Sequence, residues 1–243
     1  MSATSEFLAD ATRRKPDTEP ILVWDLPVRL FHWLMVLSFT GAWITAESER
    51  WRLVHVTLGY TMAGLVAFRL LWGLLGTRPA RFSNWVRGPR AVLSYIGALL
   101  RGQSAHCTGH NPLGAVAIVL MLTLTAMIAT SGWATYNDLG GGWLEDLHEG
   151  AATFMLIVVG VHVAGVLLSS WLHRENLIGA MIHGRKQGQP EEGAQRAWSA
   201  VAAIVLACVL GFWWLQWRDS PAAGTNNAVA VIGLEHHEPH RNE

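Results

Sequence analysis

Cysteine is nearly absent. Cys107 and Cys208 are too few for a disulfide framework, and no Cys-x-x-Cys-His occurs, which excludes covalently attached haem. Charge is scarce as well, at 15% of the 243 residues, against about 25% in soluble domains. The formal net charge is zero, so nothing points to a polyanionic partner such as nucleic acid. The connection holding Asp138, Glu145 and Asp146 contains no basic residue. What the chain does have is apolar residues, 51% of the total, gathered in long runs.

A membrane-spanning helix needs about 20 mostly apolar residues. Five runs qualify: Pro27–Ala46, Leu53–Leu75, Leu113–Tyr136, Leu147–Leu172 and Ala197–Trp217. An all-α membrane protein is expected, with Asp25 as N-cap and Pro27 in the first turn of the first span. The first run is not a cleaved signal peptide, because four more follow and no small-x-small site closes it. Arg13, Arg14 and Lys15 precede span one, five arginines between Arg78 and Arg101 separate spans two and three, and Arg174, Arg185 and Lys186 follow span four. Basic loops stay inside, so the N-terminus is expected in the cytoplasm and, after an odd fifth span, the C-terminus in the periplasm. Pro89–Leu100 reads as an amphipathic helix on the membrane surface. Trp24, Trp51, Trp133, Trp143, Trp171 and Trp217 fall near span ends, where interface anchors belong.

Polar side chains inside a bilayer are costly and mark function by default. Four histidines qualify: His32, His55, His148 and His162. His148 and His162 are fourteen residues apart in one span, hence about 21 Å apart along the axis and on nearly one face. His32 lies near the cytoplasmic end of span one and His55 near the periplasmic end of span two. Depth therefore pairs His32 with His162 and His55 with His148. Two imidazoles from two helices at one depth suit an iron porphyrin gripped on both faces, and two such sites stacked across the bilayer form an electron path. Gly59 and Gly64 after His55, with Gly150, Gly160 and Gly165 beside the span-four histidines, leave room for a flat cofactor or serve close helix packing. Arg69 lies fourteen residues after His55, near the depth of the His32/His162 pair; it either meets an anion such as a haem propionate or snorkels to the surface. Arg29, just before His32, reads the same two ways.

The segments VWDLPVRLFHW (23–33), WRLVHVTLGY (51–60), GHNPLGA (109–115), LEDLHEG (144–150) and GVHVAG (160–165) resemble the prokaryotic cytochrome b561 family, which includes the b-type cytochrome subunits of membrane-bound nickel–iron hydrogenases. The resemblance covers residues 22–186. It implies a four-helix transmembrane bundle with two haem b groups on His32, His55, His148 and His162, to which this chain adds a fifth transmembrane helix. It also implies electron exchange with quinone and with a periplasmic partner such as a hydrogenase, another oxidoreductase or a c-type cytochrome. Domains are then expected as a cytoplasmic tail at 1–21, the di-haem domain at 22–186, a linker and fifth helix at 187–218, and a disordered periplasmic tail at 219–243. The resemblance makes His106, His110 and Asn111 a candidate quinone site; Asn111 before Pro112 reads equally as a helix cap. Two other function classes share these residues: a stand-alone superoxide:quinone oxidoreductase, and a proton or metal transporter. The latter is disfavoured because no Asp or Glu lies deep in a span to help carry charge.

Overall fold

The computed structural model describes residues 19–102 and 111–218. In chain order the elements are β1 (Glu19–Leu22), α1 (Leu26–Thr45), α2 (Arg52–Leu75), a short α3 (Phe82–Trp85), α4 (Pro89–Leu100), α5 (Pro112–Tyr136), α6 (Gly142–His173), α7 (Leu177–His183), β2 (Arg185–Gly188) and α8 (Ser199–Arg218). Local chemistry sets the helix starts. Asp25 Oδ1 accepts the Val28 amide at 2.9 Å with Pro27 in the first turn of α1, and Asn111 Oδ1 accepts the Gly114 amide at 2.6 Å at the head of α5. The fourth run begins at Gly142 rather than Leu147, because Gly141 turns the chain at φ 79° and Glu145 in the first turn suits the helix dipole.

Four helices are long and apolar enough to cross a membrane: α2 with the turn before it (Glu49–Leu75), α5, α6 and α8. The 20-residue α1 is not in that group, since Arg29 and His32 depress its hydropathy. α8 runs through the boundary between two compact units, 1–205 and 206–243. Within the first unit α1 packs along α2, α5 packs along α6, and α2 touches α5. Leu124 and Ile128 interlock with Ala151, Met155 and Val158, and Phe39 of α1 reaches this seam.

The end of the unit that carries most of the arginines is closed by features the pattern of spans did not predict. β1 and β2 pair antiparallel, with Ile21 opposite Lys186 and Leu22 opposite Arg185. The all-α expectation is corrected to this extent, and the expected boundaries at 21/22 and 186/187 both fall inside strands. Four-residue strands of mixed polarity carry no period-two signal to read. Beside them the Val23 and Trp24 amides both donate to Gly184 O, at 2.9 and 3.0 Å. Gly184 has φ 86°, and a Cβ there would stand 2.6 Å from Trp24 O, so no larger residue fits. Trp24 is not an interface anchor: it is 7% exposed and packs with Ile21, Val23, Val28, Ala80 and Ala180. Trp51, Trp133, Trp143, Trp171 and Trp217 are exposed.

Asp25 is the polar centre of this end. It is 1% exposed, and its Oδ2 accepts from Trp72 Nε1 at 3.0 Å and from Thr77 Oγ1 at 2.6 Å. One carboxylate thus caps α1 and ties it to the last turn of α2 and the residues beyond. Buried Lys186 is neutralised by Glu175 at 3.1 Å. Asp25→Ala removes the cap, about 0.5–2 kcal/mol, and leaves two part-buried donors without their acceptor, at about 1 kcal/mol each, the low end for groups that keep some access to solvent. Denaturation in detergent is expected to register a loss of about 2.5–4 kcal/mol. Asp25→Asn, which keeps acceptor oxygen in place, loses less.

Candidate cofactor site formed by four histidines

The last four carbonyls of a helix lack intrahelical partners. α1 ends at Thr45, and the Ala46 amide turns to Trp43 O, leaving Ala42 O to another donor. His55, in the first turn of α2, points back across the hairpin and donates from Nδ1 to Ala42 O at 2.9 Å. In the second hairpin His148, in the second turn of α6, also donates from Nδ1 at 2.9 Å, here to Ile128 O in the interior of α5 rather than at its end. A carbonyl only accepts, so in both rings the proton sits on Nδ1 and the lone pair on Nε2. The two ring centroids are 6.1 Å apart with planes at 69°. Two imidazole nitrogens each about 2 Å from a shared metal put their ring centroids about 6 Å apart.

This close approach depends on Gly132. A Cβ on it would stand 2.7 Å from His148 Cε1 and 2.8 Å from Nδ1. Neither the carbonyls nor this glycine was found from the sequence. A backbone acceptor has no side-chain signature, whereas a glycine inside a membrane helix carries a signal, since it costs about 1 kcal/mol against alanine and therefore has a use.

His32 lies near enough to His162 for their charges to interact. His32 packs edge-on against Trp33 with centroids 5.1 Å apart, and its Nδ1 is buried with no hydrogen-bond partner. That atom is left for a group the polypeptide does not supply. The backbones of α1 and α6 hardly touch. Among the described residues no three His, Cys, Asp or Glu side chains converge.

The glycines divide into two kinds. At Gly41, Gly73 and Gly132 a Cβ would collide with Leu58, Phe82 and His148, so these serve close packing. At Gly59, Gly64, Gly150, Gly160 and Gly165 nothing lies within 4 Å of where a Cβ would stand. The second group is the one expected to leave room beside the histidines.

Arg69 is 3% exposed and turned toward the residues after α2. Its Nη2 donates to Ala80 O at 3.1 Å, and its guanidinium lies 4.8 Å from the Phe82 ring centre and 5.9 Å from that of Trp85. The anion within its reach is Asp25; Nη1 is buried and unpaired. Arg29 donates from Nη2 to Ile182 O, and its Nε is buried without a partner. Asn111 spends its side-chain oxygen on the α5 cap, while His106 and His110 lie outside the described residues.

Residues 23–184 match the family model described as prokaryotic cytochrome b561. The chain belongs to this family. Cytochrome b561 membership implies b-type haem, and the residues present fit it: imidazoles with committed Nδ1 and available Nε2, a spacing that suits one iron, and glycines facing open space. Membership and the long apolar helices together make the chain a multi-pass membrane protein. A probable Ni/Fe-hydrogenase B-type cytochrome subunit of Rhizobium leguminosarum bv. viciae is 25% identical over 232 residues, covering 76% of this chain and 97% of the relative. One from Bradyrhizobium diazoefficiens is 26% identical over 225 residues, covering 74% and 91%. The Ni/Fe-hydrogenase 1 counterpart in Escherichia coli K12 is 25% identical over 142 residues, covering 48% and 60%. No solved structure matches the chain.

Gly132→Ala forces the His148 ring away from Ile128 O. The expected outcome is protein that inserts normally yet loses haem, or low-spin character, at one site only, measured by pyridine haemochrome and electron paramagnetic resonance. Gly211→Ala on α8, where a Cβ also meets open space and which lies outside the segment holding the four histidines, serves as the control.

Proposed function

We propose that this chain is an electron-transfer subunit with two haem b groups, one held by His32 and His162 and the other by His55 and His148. On this reading it links the quinone pool to a redox protein on the periplasmic face. The observation that carries it is the pair of imidazoles of His55 and His148 at 6.1 Å, both with Nδ1 committed to backbone carbonyls; the nearness of His32 to His162 supports a second site. Haem b, when bound, supplies one-electron exchange. With both axial positions filled by imidazole, the residues leave none for oxygen or substrate, which suits electron transfer over chemistry at the metal.

The four-helix domain at 22–186 supplies every ligand. α6 contributes one histidine to each pair and so spaces the sites about 21 Å apart along its axis. We read α1 as spanning the membrane despite Arg29 and His32, which gives five spans, a cytoplasmic N-terminus and a periplasmic C-terminus; the basic connections support this orientation. The names of the relatives support a nickel–iron hydrogenase as the periplasmic partner, with a c-type cytochrome or another oxidoreductase as the remaining partner classes. Asn111 and His110, which the sequence places at the cytoplasmic start of the third span in this topology, are the proposed quinone contacts.

Two measurements test the proposal. Purified protein is expected to contain two haems per chain. His55→Leu should leave one haem six-coordinate and low-spin, while His32→Leu spares the other. His55→Leu combined with His148→Leu should damage no more than the worse single change, whereas His55→Leu with His162→Leu should damage both sites. If His55→Leu and His162→Leu disturb the same haem, the pairing is wrong. An epitope after Glu243 should be cleaved by protease added to spheroplasts; cleavage only after the inner membrane is broken would reverse the orientation.

A further inference from the structure

We propose that Thr45 and Ser131 tune how strongly His55 and His148 donate to the iron they hold, raising the reduction potential of that haem. The proposal rests on the reading of these histidines as ligands of one haem. Both rings are anchored by the same device on two different hairpins. In the first, Ala42 O accepts from His55, and the hydroxyl of Thr45, three residues on, donates to the same oxygen at 3.2 Å and to Gly41 O at 2.7 Å. In the second, Ile128 O accepts from His148, and the Ser131 hydroxyl, again three residues on, donates to it at 3.2 Å and to Met127 O at 2.8 Å.

A helical hydroxyl ordinarily bonds the carbonyl four residues back; Thr123 and Thr125 do so with Val119 O and Met121 O. Thr130 forks between two carbonyls as well, neither of which carries a histidine. Among the described residues, only at Thr45 and Ser131 does the second branch of the fork land on the oxygen that orients a ligand ring. Ser131 is 3% exposed.

A carbonyl oxygen shared with a hydroxyl offers less electron density to the imidazole N–H. The Nδ1 hydrogen bond weakens, the ring gains less imidazolate character, and Nε2 becomes the poorer donor. Hydrogen bonding behind an axial ligand is one of the protein's levers on haem potential, and a poorer donor favours the reduced iron. His32 Nδ1 is buried with no hydrogen-bond partner, so the device does not extend to His32.

The test uses the full haem-loaded chain in detergent, with potentiometric titration of both haems, haem stoichiometry and electron paramagnetic resonance. Thr45→Val and Ser131→Ala should each lower the midpoint potential of one haem. The double variant should lower it further, with the second haem unmoved and two low-spin haems retained. Thr45→Ser, which restores the hydroxyl, should return the potential to its starting value. Unmoved potentials in variants with intact bis-histidine spectra overturn the tuning role alone. A rise on Ser131→Ala also overturns it, since the hydroxyl, 3.5 Å from His148 Nδ1, would then be acting as the ring's acceptor. Loss of haem from both single variants, unrescued by Thr45→Ser, assigns the residues a purely structural part and overturns it too. Fewer than two haems, or high-spin iron, in the unaltered protein defeats the ligand reading itself, a result separate from any of these.

Discussion

An imidazole that offers one nitrogen to a metal must place the proton of the other, and within a bilayer there is no water to take it. In this chain the backbone supplies the acceptor. The hydrogen bonds from His55 to Ala42 O and from His148 to Ile128 O fix the tautomer, the ring orientation and the closeness of each helical hairpin together. They account for a glycine at 132, where any side chain would strike the ring. They also account for the short connection after α1, because His55 reaches Ala42 O only if α2 begins almost at once.

The opposite end of the first unit obeys the same constraint by different means. There a single carboxylate, Asp25, gathers a helix N-terminus, an indole and a hydroxyl, while Arg69 lies over the faces of Phe82 and Trp85. Polar groups cluster into a dry knot roofed by Trp24 and the two-stranded sheet. This knot and the His55–Ala42 hydrogen bond act on opposite ends of α1 and α2, which pack along one another between them.

Much of this was legible in the sequence because membrane helices announce themselves by length and apolarity, and because buried histidines are rare enough to be informative. The helix at Pro89–Leu100, the caps at Asp25 and Asn111, and the approach of His55 to His148 all follow from sequence pattern. The rest depends on chemistry without a sequence signature. Carbonyl acceptors belong to every residue alike, so Ala42 and Ile128 are ordinary in the sequence. Strands of four residues such as Arg185–Gly188 look like linker, and the pairing partner of β2 lies at the far end of the domain. Spacing places Arg69 on α2, but which way its long side chain turns depends on Phe82 and Trp85, whose positions only the tertiary structure fixes.

That pairing has a consequence for how the protein is made. Leu22 and Arg185 are neighbours in the sheet, and the ribosome, at about 5–20 residues per second, takes roughly ten to thirty seconds to synthesise the chain between them. During that interval β1 has no partner, the backbone amides of Val23 and Trp24 have not met Gly184, and the helices of the domain are already entering the membrane. Closure of the sheet is therefore a late event in biogenesis. Because the domain ends beside where it began, further chain can be appended there without disturbing what lies between, and α8 occupies that position.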